Sequence, residues 1–261
     1  MKFALVSKKD ISLLVILLIW ICAIIFVVSY TLATTVSVAE RRIPVYSVES
    51  ENKELALTFN CAWDDNGLDE LLALLRQEAI RCTFFFVGDF AEKHQGAVRK
   101  IYNHGHEIGN HSMKHIDPTK QTNEEILSDI SSCNELLYSI TGNKPLLYRA
   151  PSGAYDNKTL EAAESLGMTV IQWDADSIDW KHISPEKIIS RVTEKVTNGS
   201  IVLFHLGRQN TLDALPEIIS TLKSRGYSFC AVGDMLLQGD YYTDHSGRIH
   251  ISRSAQREEL Y

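Results

Sequence analysis

Two histidines separated by three residues, His111 and His115, are the first candidates for chemistry in this sequence. Neutral imidazoles at this spacing can both reach one Zn²⁺-like ion, on a helical turn or in a tight loop. An isolated pair of this kind is more often a surface or core feature than a metal site. The pair therefore indicates a metal site only if other polar residues lie around it in the fold.

Other reactive side chains follow short apolar runs, at the point where each run ends. They are Asn60, Cys61, Asp64 and Asp65 after the first run, Arg149 at the end of the fourth, Asp176, Asp179 and Trp180 after the fifth, and His205 after the sixth. In a parallel barrel the carboxyl ends of the strands converge on one mouth, where active sites form. Taken singly, each is better explained without chemistry: Arg149 as a structural ion-pair partner, Trp180 as a core aromatic and His205 as a satisfied strand-end histidine. Their joint position predicts one site.

The elements that must position these residues alternate in type along the chain. Apolar runs typical of buried strands cover 55–59, 82–87, 106–110, 146–149, 169–173, 201–204 and 228–232. Helical patterns with capping residues and terminal glycines cover 68–78, 92–103, 122–140, 158–166, 184–199 and 212–224. Alternating strands and helices predict parallel pairing through right-handed crossovers. About seven parallel strands favour an α/β fold of the (β/α) barrel type over an open doubly wound sheet.

The N-terminal region carries Lys2, Lys8 and Lys9 and then an apolar run, 11–28, interrupted only by a serine. A helix of this length can cross a bilayer core of roughly 30 Å, and the preceding positive charge predicts a cytoplasmic N-terminus. The alternative is a cleaved signal peptide, whose apolar region is usually only about 7–15 residues. Small residues at 37–39 would suit such cleavage, but the longer run favours a retained anchor.

These patterns predict a single-pass protein of the cell membrane with its main domain outside the cytoplasm. The predicted divisions are a cytoplasmic N-terminus over 1–10, a transmembrane helix over 11–32, a stalk over 33–53, the main domain over 54–237 and a loosely ordered polar tail over 238–261. The formal net charge of −7 argues against a nucleic-acid partner. The five cysteines show no C-x-x-C spacing, so no zinc knuckle or redox motif is predicted.

Five ordered segments resemble the motifs of the polysaccharide deacetylase family, also known as the NodB homology or carbohydrate esterase 4 family. They are Thr58-Phe59-Asn60, His111-Ser112-Met113-Lys114-His115, Arg149-Ala150-Pro151-Ser152-Gly153, Asp176-Ser177-Ile178-Asp179-Trp180 and Leu203-Phe204-His205. The similarity extends over roughly 56–237. Five motifs in order are much more specific than any one of them.

The resemblance implies a distorted (β/α) barrel that holds zinc or another divalent metal such as Co²⁺ or Mn²⁺. The site roles that it implies are metal binding by His111 and His115, orientation of the catalytic carboxylate by Arg149, an oxyanion contact from the backbone near Ser152, an acetyl pocket formed by Trp180 and Leu203, a general acid at His205, and tuning of that acid by Asp179. A metal and a positioned base and acid are what hydrolysis of an unreactive amide needs.

The first motif departs from the family pattern. Two adjacent aspartates, a base and then a metal ligand, are usual where this chain has Asn60 and Cys61. An amide side chain cannot accept the proton, whereas a thiolate can bind zinc. Cys61 is therefore a candidate metal ligand, and Asp64 and Asp65 are candidates for the missing base, for a metal ligand or for both.

The functional prediction is a metal-dependent hydrolase that removes N-acetyl groups from cell-wall polysaccharide, either peptidoglycan or chitin-like N-acetylglucosamine units. The membrane would be a second partner through the N-terminal helix. The alternative, motivated by Asn60, is a catalytically degenerate protein that binds wall glycan without turnover. A third interpretation is a metalloesterase or amidase that acts on a non-sugar substrate, because a fold does not fix its substrate.

Overall fold

A computed structural model describes residues 8–33, 41–236 and 241–251 of the chain. The chain divides into two units, Met1–Glu40 and Arg41–Tyr261. In the first unit, helix α1 runs from Lys8 to Ala33, and its large apolar side chains between Ile11 and Val27 are exposed. No helix within the described ranges qualifies as a membrane-crossing segment. The predicted transmembrane anchor over 11–32 is therefore not supported.

The second unit is an α/β domain. Its helices are α2 Leu68–Gln77, α3 Gly88–Lys93, α4 Gln95–Asn103, α5 Asn123–Thr141, α6 Asn157–Ser165, α7 Pro185–Lys195, α8 Gln209–Ser224 and α9 Val232–Met235. Its strands are β1 Ser47–Val48, β2 Glu54–Cys61, β3 Thr83–Phe86, β4 Glu107–Asn110, β5 Leu147–Tyr148, β6 Thr169–Val170, β7 Ala175–Asp176, β8 Ser200–His205, β9 Ser228–Phe229, β10 Tyr241–Thr243 and β11 Arg248–Ile251.

Strand β2 lies at the centre of the sheet and pairs in parallel with both β3 and β8. Beyond β3 the parallel order continues through β4 and β5 to β6. Seven of the eight residues of β2 are buried, as expected for a parallel strand that is covered on both faces. The α/β class and the parallel pairing predicted from the alternating pattern are confirmed.

Side chains along β2 alternate between two environments. Leu55, Leu57, Phe59 and Cys61 pack in the main hydrophobic core with the surrounding helices. Thr58 and Asn60, on the other face, hydrogen-bond to Arg149. This period of two is the ordinary geometry of a strand, and it decides which residues of the first motif reach the site.

A short N-terminal segment links the two ends of the curled sheet. Val45 forms a parallel bridge with Ile171, just past β6, and β1 then pairs antiparallel with β8. Strand β11 adds to the other side of β1, and β10 pairs with β11. The structure therefore differs from the predicted stalk over 33–53 and tail over 238–261, because both regions contain paired strands.

All seven predicted strands are present, although β5, β6 and β9 are only two residues long. The predicted helix over 92–103 is two helices, α3 and α4, because His94 interrupts the helical backbone with φ −120° and ψ 42°. The strands missed from the sequence, β1, β7, β10 and β11, have two to four residues each, too few to establish an apolar period.

Candidate active site

The polar residues predicted to converge meet around a cavity of about 370 Å³ at the carboxyl ends of the central strands. Its lining residues are Asn60, Ala62, Trp63, His111, His115, Ser152, Trp173, Asp176, Trp180, Leu203 and His205. A larger, open depression of about 970 Å³ lies beside α2 and α4. It contains Asp65 but none of the motif histidines, so the smaller cavity is the candidate active site.

His111 and His115 share one wall of this cavity, with ring centroids 4.9 Å apart in an edge-to-face arrangement. The Nδ1 of His111 lies 2.7 Å from the carbonyl oxygen of Arg149. Because a carbonyl only accepts, His111 carries its proton on Nδ1, and Nε2 keeps a free lone pair. Burial, reinforced by the neighbouring His115, holds the pKa of His111 well below its ordinary value. Burial also lowers the pKa of His115, so both rings are neutral at pH 7.

His205, at the end of β8, is held by a fully buried carboxylate. Its Nδ1 lies 2.7 Å from Oδ1 of Asp179, and its backbone N–H donates to Oδ2 at 2.8 Å. The hydroxyl of Thr211 donates to the same Oδ2 at 2.6 Å. Burial alone would raise the pKa of Asp179, but the hydrogen bonds from His205 and Thr211 leave it below its ordinary value. The carboxylate therefore fixes the His205 ring, which is the geometry of an oriented acid–base histidine.

Arg149 is a fully buried cation beneath the cavity floor. Its Nη1 donates to Oγ1 of Thr58 at 2.9 Å and to Oδ1 of Asn60 at 3.0 Å, and its Nη2 donates to the carbonyl of Gln172 at 3.1 Å. The guanidinium carbon lies 4.0 Å from the centroid of the Phe85 ring. Burial lowers the pKa of Arg149 to about 9. Every oxygen that it contacts is neutral, and Nε has no partner among the described residues.

The contact with Arg149 fixes the orientation of the Asn60 amide. A guanidinium has only donors, so the amide atom that faces it must be the carbonyl oxygen. The NH₂ group of Asn60 therefore points away from Arg149. Because Asn60 lines the cavity, this NH₂ group is a donor for the cavity. At position 60 this chain therefore has a hydrogen-bond donor, whereas the family pattern has a proton acceptor there.

Cys61 does not reach the cavity. Its side chain is buried in the main core, where Sγ lies 3.9 Å from the carbonyl oxygen of Phe59. Burial raises the pKa of the thiol well above its ordinary value, so it stays protonated at neutral pH. The predicted role of Cys61 as a metal ligand is contradicted by this placement.

Asp64 and Asp65 also lie off the cavity. Oδ1 of Asp64 accepts from the backbone N–H of Asn66 at 3.1 Å, which is a local turn contact. Oδ1 of Asp65 lies 3.2 Å from Nδ1 of His94 in a half-exposed pair. Neither carboxylate lines the cavity, so the structure does not support either one as the replacement base.

The donor set around the cavity does not fit a catalytic zinc site. Such a site takes three protein ligands and leaves one position for water or substrate. His111 and His115 supply two neutral imidazoles, but Cys61 points into the core. Across the described parts of the chain, no group of three histidine, cysteine or acidic side chains is arranged to hold an ion.

The substrate-facing walls are aromatic and apolar. Trp180 and Leu203 lie where the acetyl pocket was predicted, and Trp180 is 46% exposed. Ser152 lines the same cavity with a left-handed backbone, φ 56°. The structure brings these three residues to one cavity, and their roles toward a substrate remain predictions.

Two further indoles at the cavity, Trp63 and Trp173, were missed from the sequence. Trp63 is 49% exposed, and its ring centroid lies 5.2 Å from that of His205. The guanidinium of Arg208 lies 4.4 Å from the centroid of Trp63. Their positions in the sequence could have placed them at the site, because Trp63 follows the first motif by three residues and Trp173 ends a predicted strand.

Comparison with known proteins identifies the family. The polysaccharide deacetylase family model matches residues 47–171. A peptidoglycan-N-acetylglucosamine deacetylase of Bacillus cereus is 32% identical over 206 residues, which cover 77% of this chain and 75% of that protein. The uncharacterized protein YlxY of Bacillus subtilis is 30% identical over 193 residues, 74% of this chain and 60% of YlxY. The chain belongs to the polysaccharide deacetylase family.

Solved structures agree with this assignment. A CE4 family pseudoenzyme from Bacillus anthracis, BA3943, has a TM-score of 0.72 and 29% identity, covering 74% of this chain and 68% of its own. A mutant of BA3943 with restored enzymatic activity gives the same TM-score and identity. The chain spans 60% of YlxY and 44% of the Listeria monocytogenes deacetylase PgdA, so it matches only part of these relatives.

Proposed function

We propose that this protein recognises N-acetylated cell-wall glycan in its deacetylase cavity without turning it over. The observation that carries the proposal is Asn60, whose amide stands in the base position and cannot take a proton from water. Asp176 is the one carboxylate on the cavity lining within the described residues, and its Oδ1 accepts from the backbone of Ile178 at 2.8 Å.

The shape and chemistry of the cavity support a sugar ligand. Trp63, Trp173 and Trp180 offer flat apolar faces, and binding sites use such surfaces together with a few placed polar groups. A peptidoglycan-N-acetylglucosamine deacetylase and a peptidoglycan-N-acetylmuramic acid deacetylase among the relatives support a wall glycan as the ligand.

The test combines binding with acetate release. N-acetylglucosamine oligomers and peptidoglycan fragments are titrated by calorimetry, and released acetate is measured with Zn²⁺, Co²⁺ or Mn²⁺ added. We expect binding without acetate from the natural chain, and acetate from Asn60→Asp if the base is the principal missing group. Release by the natural chain would reject the no-turnover proposal, and absence of any glycan binding would reject recognition.

A second candidate function is metal-dependent deacetylation, which the intact pair of His205 and Asp179 favours. In that case the natural chain releases acetate with an added metal, and His205→Ala abolishes the release. Asp176→Asn would then identify the base, because Asp176 is a carboxylate at the cavity. Metal analysis with His111→Ala as the control tests whether an ion is held by the histidine pair.

We place the domain on the outer side of the cytoplasmic membrane, where wall glycan is found. The support is the order of lysines and apolar residues before residue 29, which is typical of exported proteins. Fractionation of cells that express the full chain, followed by protease treatment of intact protoplasts, tests this placement. Protection of the domain from protease would contradict it.

A further inference from the structure

We propose that the NH₂ group of Asn60 binds the acetyl oxygen of the ligand, which makes this cavity an acetamide site that works without a metal. The inference rests on the proposed glycan recognition and adds the atom that performs it. A metal would otherwise be the partner that polarises and holds this oxygen. Among the described residues no third side chain joins the histidine pair as a metal ligand, whereas Asn60 adds a hydrogen-bond donor.

The donor is fixed in place from below. Arg149 holds Oδ1 of Asn60 at 3.0 Å and is itself held by Thr58 and by the carbonyl of Gln172. The guanidinium also lies over the Phe85 ring, with its carbon 4.0 Å from the ring centroid, which restricts its rotation. An amide whose oxygen is held in this way presents its NH₂ with little loss of conformational entropy on binding.

The remaining polar groups complement the other half of an acetamide. A secondary amide offers one acceptor, its carbonyl, and one donor, its N–H. Asn60 supplies the donor for the carbonyl, and neutral His111 supplies an acceptor lone pair on Nε2 for the N–H. Leu203 and Trp180 line the same cavity and can cover the methyl group. A free amine lacks the carbonyl, so the site should discriminate against the deacetylated sugar.

The experiment is a calorimetric titration of N-acetylglucosamine tetramer into the full chain after treatment with a chelator. Four proteins are compared: the natural chain, Asn60→Asp, Asn60→Ala and Asn66→Asp. Asn66 is exposed and lies off the cavity, so its change is a control for added charge. Asn60→Asp keeps the shape but replaces the donor by an acceptor that repels the acetyl oxygen.

We expect the natural chain and Asn66→Asp to bind equally with and without chelator, and glucosamine tetramer to bind at least about tenfold more weakly. Asn60→Asp and Asn60→Ala should each lose about tenfold in metal-free affinity, as expected for one lost hydrogen bond. Binding that requires an added metal, or that survives both Asn60 changes, would overturn the inference while glycan recognition stands.

A second readout does not depend on the variants folding. The side-chain NH₂ of Asn60 is followed by NMR in the ¹⁵N-labelled natural chain. We expect its resonances to shift when the N-acetylglucosamine tetramer binds the chelator-treated chain. Binding that leaves them unchanged would reject Asn60 as the partner, whereas no binding at all would instead reject the proposed function.

Discussion

At the residue scale, an amide in place of a carboxylate at position 60 changes the surroundings of Arg149. The guanidinium is fully buried, and its hydrogen bonds within the described residues go only to neutral oxygens, although buried charges are normally paired. An aspartate at position 60 would place a carboxylate oxygen where the Asn60 amide oxygen now lies. With Asn60 at this position, the site has neither the base nor the negative charge that an aspartate would place beside Arg149.

We predict that Asn60→Asp stabilises the protein at pH 7. Pairing this cation should raise the free energy of unfolding by about 1–3 kcal/mol, as expected for a hydrogen bond between charged groups. Arg149 would lower the pKa of the new carboxyl in the folded state, so the gain is present above its unfolded value and lost as pH falls through its folded value. Urea unfolding at pH 7 and at pH 3 measures this, with Asn66→Asp as the control. A less stable variant at pH 7 would contradict the prediction.

His106 gives a second prediction at this scale. Its Nδ1 accepts from the backbone N–H of Cys82 at 3.2 Å, and burial lowers its pKa to about 4. His106 of the unfolded chain therefore takes up a proton near pH 6.5, whereas in the folded chain it stays neutral until about pH 4. Stability consequently falls as pH decreases from about 6.5 toward 4. The loss from this group is about 3 kcal/mol at most.

His106→Asn keeps an acceptor for Cys82 but does not titrate. We expect the difference in melting temperature between pH 7 and pH 4.5 to be smaller in this variant than in the natural chain. His182→Asn, at an exposed histidine elsewhere in the domain, is the control. An unchanged pH dependence in His106→Asn would show that other groups cause the acid sensitivity.

The residues that converge on the cavity could be predicted where a whole motif specifies them. His111, His115, Arg149, Asp179 and His205 lie together because each follows a strand whose carboxyl end faces one mouth. Cys61 was misplaced because β2 continues two residues beyond the predicted end at 59, so that strand alternation sends positions 60 and 61 to opposite faces. The loop that follows β2 turns Asp64 and Asp65 toward local backbone and His94, and no sequence period describes such a turn.

At the scale of elements, β3 and β4 must approach closely to place His111 at the cavity. Phe85 and Gly109 are direct partners across these strands. A Cβ atom added to Gly109 would lie 2.5 Å from the Phe85 ring. The same ring covers the guanidinium of Arg149, so this contact connects strand packing with the floor of the site.

Gly109→Ala should therefore lower the free energy of unfolding by about 1–3 kcal/mol, as overpacked cores do. The companion change Phe85→Leu makes room, so the double variant should lose less than the sum of the two single variants. Urea unfolding of all four proteins measures the coupling. Strict additivity would mean that the backbone relaxes and that the contact does not limit strand spacing.

At the scale of the whole molecule, His250 connects the two chain ends of the domain. Its Nε2 lies 2.9 Å from Asp244, and its Nδ1 lies 3.2 Å from Glu49, just after β1. The hydrogen bond to Asp244, helped by Glu49, raises the pKa of His250 above its ordinary value. The imidazolium is the form that bridges both carboxylates.

This contact predicts a loss of stability on the alkaline side. A raised folded pKa means that the contribution is complete below the unfolded value near 6.5 and disappears as pH rises through the folded value. Its sign is opposite to that of His106. Melting temperatures between pH 6 and pH 9 should fall more in the natural chain than in His250→Gln. Equal slopes would show that the bridge does not contribute.

The α/β architecture was predictable because strands and helices alternate over 54–237, whereas the domain boundaries were not. The segment from Val45 to Val48 is polar in its flanks and too short to show a period, yet it joins β6 to β8. Pairing of this kind depends on which edges a curled sheet leaves free, and that is a property of the assembled fold.

The position of β1 has a practical consequence for anyone shortening the chain. A fragment cut at residue 237 would remove β10 and β11 and leave one side of β1 with unpaired N–H and C=O groups. Water would have to satisfy those groups, and the contact of His250 with Glu49 would be lost, so such a fragment should be less stable than the longer domain even though its cavity is intact. Preparations of the domain should therefore begin before Val45 and extend at least to Ile251.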